Sequence, residues 1–196
     1  PSLMEVLDHA QPTILLGLTG VGGLFTQAIV ERMAANCEHP MIFPLSNPTA
    51  NCEATPEEII AWTDGKALVA AGSPFAPVHY MGQIHAVGQG NNAFVFPGIG
   101  FAAVLGKCRR ISDAMIIESA YAVADYTQKH HLDRGLFFPP ISELREVSLY
   151  VTERVLRIAL QDGSSSRSDL DGVDLREYVR SRAWKADYLP FVPAPR

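Results

Sequence analysis

Pro12-Thr13-Ile14-Leu15-Leu16-Gly17-Leu18-Thr19-Gly20-Val21-Gly22-Gly23 is the stretch whose reading decides the fold. Residues 12–18 form a near-continuous apolar run, the pattern of a strand buried on both faces of a parallel sheet. The run empties into a glycine-rich turn. A helix follows over about 24–36, where Phe25, Ile29 and Met33 recur at helical spacing. Residues 40–45 are a second apolar strand, ending in Ser46-Asn47-Pro48-Thr49. Thr55-Pro56-Glu57-Glu58 opens another helix: Thr55 caps it, Pro56 suits the first helical position and Glu58 completes a capping box. Residues 67–71 are a third strand, ending in Gly72-Ser73-Pro74. After a loop carrying His79, Tyr80 and His85, Gly88-Gln89-Gly90-Asn91-Asn92 leads into residues 93–96, read as a fourth strand. Strands alternating with helices in this way specify an α/β protein with a mainly parallel sheet.

The chain opens with a short amphipathic lead, residues 1–11, carrying Leu3, Val6 and Leu7. From Gly98 onward it turns helical. One helix is expected over about 99–110, a second capped by Ser112-Asp113 up to about 131, and a third capped by Ser142 up to 161. Residues 162–172, rich in Ser, Asp and Gly, read as a mobile linker. Asp174-Leu175-Arg176-Glu177 is a second capping box, whose helix leads toward Trp184 before an extended end from Tyr188 to Arg196.

Composition narrows the function classes. Of the 196 residues, 47% are hydrophobic and 19% charged, the balance of a globular domain. A net charge of -5 with 16 scattered Lys and Arg excludes a nucleic-acid footprint. No apolar run approaches the ~18 residues of a membrane span, so no membrane partner is expected. Cys37, Cys52 and Cys108 are far apart and in no metal-ligand spacing, which reads as reduced thiols in a cytoplasmic setting. The chain begins Pro1-Ser2-Leu3 without an initiator Met, which reads as a fragment whose start lies upstream.

In open parallel sheets, ligands bind outside the carboxyl ends of the strands. Here those ends carry Thr19-Gly20, Ser46-Asn47-Pro48 and Gly72-Ser73-Pro74, with Gly90-Asn91-Asn92 at the entrance of the last strand. Asn47 is held extended by the proline after it, which aims its amide. Gly17 to Gly23 follows a strand and opens a helix as a phosphate loop does, yet it fails the dinucleotide fingerprint. With Gly20 and Gly22 as the first two glycines, Phe25 stands where the third belongs, and the next strand ends in Ser46-Asn47 with no acid for a ribose. It is therefore not the first βαβ of a Rossmann domain; the second half of one, where nicotinamide and substrate lie, fits. Other groups read as structural. Two of Glu53, Glu57, Glu58 and Asp64 belong to a helix N-terminus rather than a metal site. His130-His131 read as solvated or as complementing a helix end, and Ser73 lacks the context of a hydrolase nucleophile.

These motifs together resemble malic enzyme. The likeness runs over roughly residues 10–160, through Gly20-Val21-Gly22-Gly23-Leu24-Phe25-Thr26, Phe43-Pro44-Leu45-Ser46-Asn47-Pro48-Thr49, Glu53-Ala54-Thr55-Pro56-Glu57, Trp62-Thr63-Asp64-Gly65, Gly72-Ser73-Pro74-Phe75, Gly88-Gln89-Gly90-Asn91-Asn92, Pro97-Gly98 and Arg110-Ile111-Ser112-Asp113. Trp184-Lys185-Ala186-Asp187-Tyr188 resembles the bacterial NAD-linked branch. The resemblance implies a partial Rossmann-like, doubly wound sheet followed by C-terminal helices. It divides the chain into the latter portion of the dinucleotide-binding domain (1–110), helices packing on it (111–162), and a linker, short helix and extended tail (163–196). It further implies oxidation and decarboxylation of (S)-malate to pyruvate with NAD, or NADP, and Mg²⁺ or Mn²⁺. Ser46, Asn47, Gly72 and Asn91 would face the cofactor, and Asn47 and Asn92 the substrate. The family's acid Tyr, base Lys and acidic metal ligands all precede the matched region. This chain is thus expected to be inactive alone, to need the N-terminal part of the same protein, and to belong to a homo-oligomer. The competing expectation is a truncated, non-catalytic binding or assembly module.

Overall fold

The computed structural model describes residues 1–188, and the part of the expected extended end beyond Tyr188 lies outside them. Four parallel strands form the sheet: β1 (Ile14–Gly17), β2 (Met41–Pro44), β3 (Leu68–Ala71) and β6 (Gly88–Gln89), in the order β1-β2-β3-β6. A separate antiparallel hairpin, β4 (Val78–Tyr80) with β5 (Gln83–His85), occupies the segment expected to be a loop. Its turn is Met81-Gly82, both with positive φ, as a two-residue hairpin turn requires.

One face of the sheet is covered by α1 (Leu3–Ala10), α2 (Gln27–Asn36) and α3 (Pro56–Trp62). Leu15, Ile42 and Val69 are paired across the register and join Leu7, Ile29, Val30, Met33, Ile59 and Ile60 in one core. The capping boxes at Ser2–Glu5 and Thr55–Glu58 are both closed, so local sequence sets where α1 and α3 begin. On the other face the Phe43 ring packs at a tilt against Phe137 and Phe138. That cover stops short of β1. Among the described residues β1 stands at the end of the strand order, with Ile14 and Leu16 each 52% exposed.

The second core belongs to α4 (Phe96–Leu105), α5 (Asp113–His130), α6 (Leu144–Gln161) and α7 (Leu175–Arg182). Val147, Val151 and Val155 form an i, i+4 stripe on α6 that meets Ile99 and Ala102, Met115 and Ala122, and Leu175 and Val179 from the other three helices. The strand expected at 93–96 does not exist. Asn91 Oδ1 accepts the Ala93 N–H at 2.9 Å and starts a 3₁₀ turn, Asn92–Phe94, which runs straight into α4. A short apolar run does not by itself distinguish strand from helix entry, and Pro97 suits a helix's first turn. The fourth strand is instead the two-residue β6, just before it.

Two further expectations change. The 162–172 segment is docked rather than mobile: Ser165 and Ser166 donate their hydroxyls to the Gly106 and Lys107 carbonyls, and Leu170 is buried in the helical core. His131 is not a solvated helix end. It is buried, and its Nε2 lies 2.9 Å from Glu143 Oε2, which also accepts the Tyr126 hydroxyl at 2.9 Å. No described helix is long and apolar enough to cross a membrane.

Candidate functional site

The turns that follow the parallel strands are bonded to one another in a row. After β1, the Thr19 N–H and hydroxyl both donate to Glu53 Oε1, at 3.0 and 2.8 Å. After β2, the Ser46 hydroxyl donates to the same oxygen at 2.5 Å and the Ser46 N–H to Glu53 Oε2 at 3.3 Å. Ser46 Oγ in turn accepts the Gly20 N–H at 2.9 Å, tying the first turn to the second. After β3, the Ser73 hydroxyl donates to Asn47 Oδ1 at 2.8 Å, tying the second to the third. The Gln89 side-chain amide donates to the Gly72 carbonyl at 3.1 Å and the Gly90 N–H to the Ala71 carbonyl at 2.9 Å, which brings in β6.

Two glycines allow this approach. A Cβ on Gly17 would lie 2.5 Å from the Glu53 carboxyl carbon, and one on Gly72 would lie 2.1 Å from the Leu45 carbonyl oxygen. Neither position has room for a side chain. The sequence places glycine where a carboxylate and a neighbouring strand end fill the space.

Glu53 is 0% exposed. Burial alone would raise its pKa, but the hydrogen bonds from Ser46 and Thr19 outweigh it and hold the carboxyl below its usual value. The group is therefore an anion at neutral pH, enclosed by four donors. This resolves the ambiguous glycine turn. The Thr19 and Gly20 amides are already spent on Glu53 and Ser46, and a negative charge sits among them, so the turn does not cradle a phosphate.

Of the residues expected at the site, Ser46 and Gly72 are buried in this row and contribute their backbone and bonds to its floor. Asn47 is exposed, its oxygen held by Ser73, so its Nδ2 group offers two donors in a fixed orientation. The Asn47–Pro48 peptide is cis. Asn91 spends its side-chain oxygen on the Ala93 cap and keeps its amide N–H groups, while Asn92 is exposed at the start of the 3₁₀ turn. Both are attached to the row through Gly90. A cavity of about 250 Å³ lies alongside, lined in part by Pro74, Phe75, Gln89 and Phe138.

Three contributors were not legible as site residues: Glu53, Ser73 and Gln89. Glu53 reads in sequence as one of several acids near a helix start, and Ser73 as a turn former. The available signal was the pairing of Gly17 with an unassigned acid outside the Thr55–Glu58 capping box. Of the acids at 53, 57, 58 and 64, Glu53 is committed to the turns and Glu58 to the α3 cap. Among the described residues no three His, Cys, Asp or Glu side chains group as a metal site.

The row of bonded strand ends, with a carboxamide left pointing outward, is the geometry to compare with known proteins. The family model described as malic enzyme, NAD binding domain, matches residues 1–160. The chain belongs to that family. It is 40% identical over 187 residues to the NAD-dependent malic enzyme of Aeromonas hydrophila, covering 95% of this chain and 33% of the relative. It is 38% identical over 187 residues to the NADP-dependent malic enzyme of Dictyostelium discoideum, with coverage of 95% and 34%. Among solved structures it is similar to malic enzyme from Pyrococcus horikoshii, with a TM-score of 0.65 and 26% identity over 86% of this chain and 34% of that one. Malic enzyme of Entamoeba histolytica shares the fold at a TM-score of 0.73 and 24% identity, over 92% and 33% of the two chains. The chain spans about a third of the length of the curated relatives it matches. The malic enzyme resemblance of the motifs is thereby borne out. The family match ends inside α6, so α7 lies beyond it.

Proposed function

We propose that these residues form the cofactor-facing portion of a malic enzyme, which oxidises (S)-malate and decarboxylates it to pyruvate and CO₂. The observation that carries this reading is the Ser73–Asn47 bond at the ends of β3 and β2, which fixes a carboxamide with its donors free. NAD or NADP supplies the hydride acceptor. Ser46, Gly72 and Asn91 would line the nicotinamide side, Asn47 would face both nicotinamide ribose and malate, and Asn92 would reach malate. Neutral carboxamides suit this work, because they donate to a carboxylate or hydroxyl without adding a charge that competes with the reacting groups. The filled turn after β1 supports the same assignment: it suits the uncharged end of the cofactor better than the pyrophosphate.

Three requirements of the reaction are met from outside these residues in this reading: a base for the malate hydroxyl, an acid for the enol, and the Mg²⁺ or Mn²⁺ that polarises the carbonyl. The chain alone is accordingly inactive, and the homo-oligomer expected of the family belongs to the longer protein. The test is to express the complete product of the source gene and assay malate-dependent reduction of NAD and NADP with Mn²⁺. Turnover by that product, and none by these 196 residues alone, is the expected result. A product that reduces neither cofactor in the presence of malate would overturn the reading and leave a non-catalytic module.

A further inference from the structure

We propose that Glu53 is a positioning residue for this site: its buried carboxylate sets the orientation of Ser46 and, through it, of Asn47. The proposal rests on the malate and cofactor reading for its functional consequence, and on geometry for the rest. Glu53 is fully buried, so it acts on the site only through the residues it bonds. Its four bonds go to two places only, the Thr19 end of the turn after β1 and the backbone and side chain of Ser46. Ser46 directly precedes Asn47, and Ser73 grips Asn47 from the other side. Asn47 is thus clamped between two strand ends, with Glu53 as the anchor of one jaw.

The chemistry asks for a carboxylate of this length. Every group facing it is a donor, two N–H and two O–H. A glutamine would turn an NH₂ toward some of those donors and leave buried polar groups unpaired. An aspartate would fall one methylene short. The missing Cβ of Gly17 marks the space as reserved for this group.

Two arms test this. In this chain, the side-chain amide resonances of Asn47 and the backbone amides of Thr19, Gly20 and Ser46 are recorded by NMR for wild type and Glu53→Gln. The control is Thr55→Ala, which removes the α3 cap and lowers stability without touching the row. In the complete gene product, kcat/KM for malate is measured for the same variants. Glu53→Gln should displace the Asn47 amide signals and lower kcat/KM on the order of tenfold or more, since misplacing a positioning group by about 1 Å can cost ~10²-fold. Thr55→Ala should do neither. Should Glu53→Gln not fold, Thr19→Val removes the hydroxyl bond to Glu53 together with the bond that hydroxyl accepts from the Val21 N–H, keeps the Thr19 N–H bond to Glu53, and should shift the same signals by less. Unmoved Asn47 signals in the folded variant, or equal shifts in Thr55→Ala, would overturn the proposal. If the wild-type gene product shows no malate turnover, the site reading fails, and the resonance arm still decides whether Glu53 orients Asn47.

Discussion

Replacing Gly72 with alanine should unlock the strand ends from a position that touches no charged group. The added Cβ would sit 2.1 Å from the Leu45 carbonyl oxygen, 2.5 Å from its carbon and 3.0 Å from its Cα. All three are backbone, so no side chain can swing aside, and β2 and β3 must separate by about 0.9 Å to bring the closest contact to 3.0 Å. The Gly72 N–H bond to the Pro44 carbonyl, 3.0 Å long, spans the same gap and would be strained or lost. Overpacking of this kind costs ~1–3 kcal/mol and a lost hydrogen bond ~1 kcal/mol, so roughly 2–4 kcal/mol is expected. For a chain of this size that corresponds to a melting point lower by roughly 4–16 °C. Thermal unfolding followed by circular dichroism gives the value directly. Gly100→Ala is the matched control, because nothing lies within 4 Å of its added Cβ in α4, and it should be neutral or stabilising by about 0.5–1 kcal/mol. A Gly72→Ala protein that melts with the wild type would refute the claim that the strand ends are in contact here.

Three more outcomes follow from the same contacts. Gly17→Ala should be strongly destabilising alone, but Glu53→Ala should relieve it, so the double variant should be more stable than additivity allows by about 1 kcal/mol or more; urea midpoints for the four proteins test this. Burial works to raise the pKa values of Glu53 and Glu143, yet Ser46 and Thr19, and Tyr126 and His131, hold them below the usual 4.5. Their folded-state advantage is therefore complete above pH 4.5 and drains as pH falls through the lower folded values, so urea midpoints should drop across that acid range and drop less in Glu143→Gln. Leu170→Ala should cost ~2–5 kcal/mol by denaturant titration, because the side chain is 4% exposed in the helical core, whereas a free linker would give under about 0.5 kcal/mol.

The parts of the fold legible in sequence are those set by local chemistry. Thr55-Pro56-Glu57-Glu58 places the start of α3, and the apolar runs at 40–45 and 67–71 contain β2 and β3. What failed depended on neighbours. Residues 93–96 are apolar for a helix entry that packs on α6, and the Asn91 cap and Pro97, not the run itself, distinguish that from a strand. Ser165 and Ser166 are polar because their hydroxyls bond the Gly106 and Lys107 carbonyls just past α4, not because the segment is solvated. In the row of strand ends, the place of Asn47 just after β2 was legible because an apolar run precedes it and a proline follows it. Ser73 and Glu53 were not, since their roles exist only once three strand ends stand side by side.

The central claim is that Asn47 and Asn92 serve malate at these strand ends. Steady-state kinetics of Asn47→Ala and Asn92→Ala in the complete gene product, with malate and cofactor varied in turn, tests it most directly. Asn92→Ala should melt near the wild-type temperature, since that side chain is exposed, whereas Asn47→Ala leaves the buried Ser73 hydroxyl without its acceptor and should cost about 1–3 kcal/mol; both should lose malate turnover on the order of tenfold or more, as expected when a donor that positions substrate is removed. Wild-type kinetics in both variants would contradict the account.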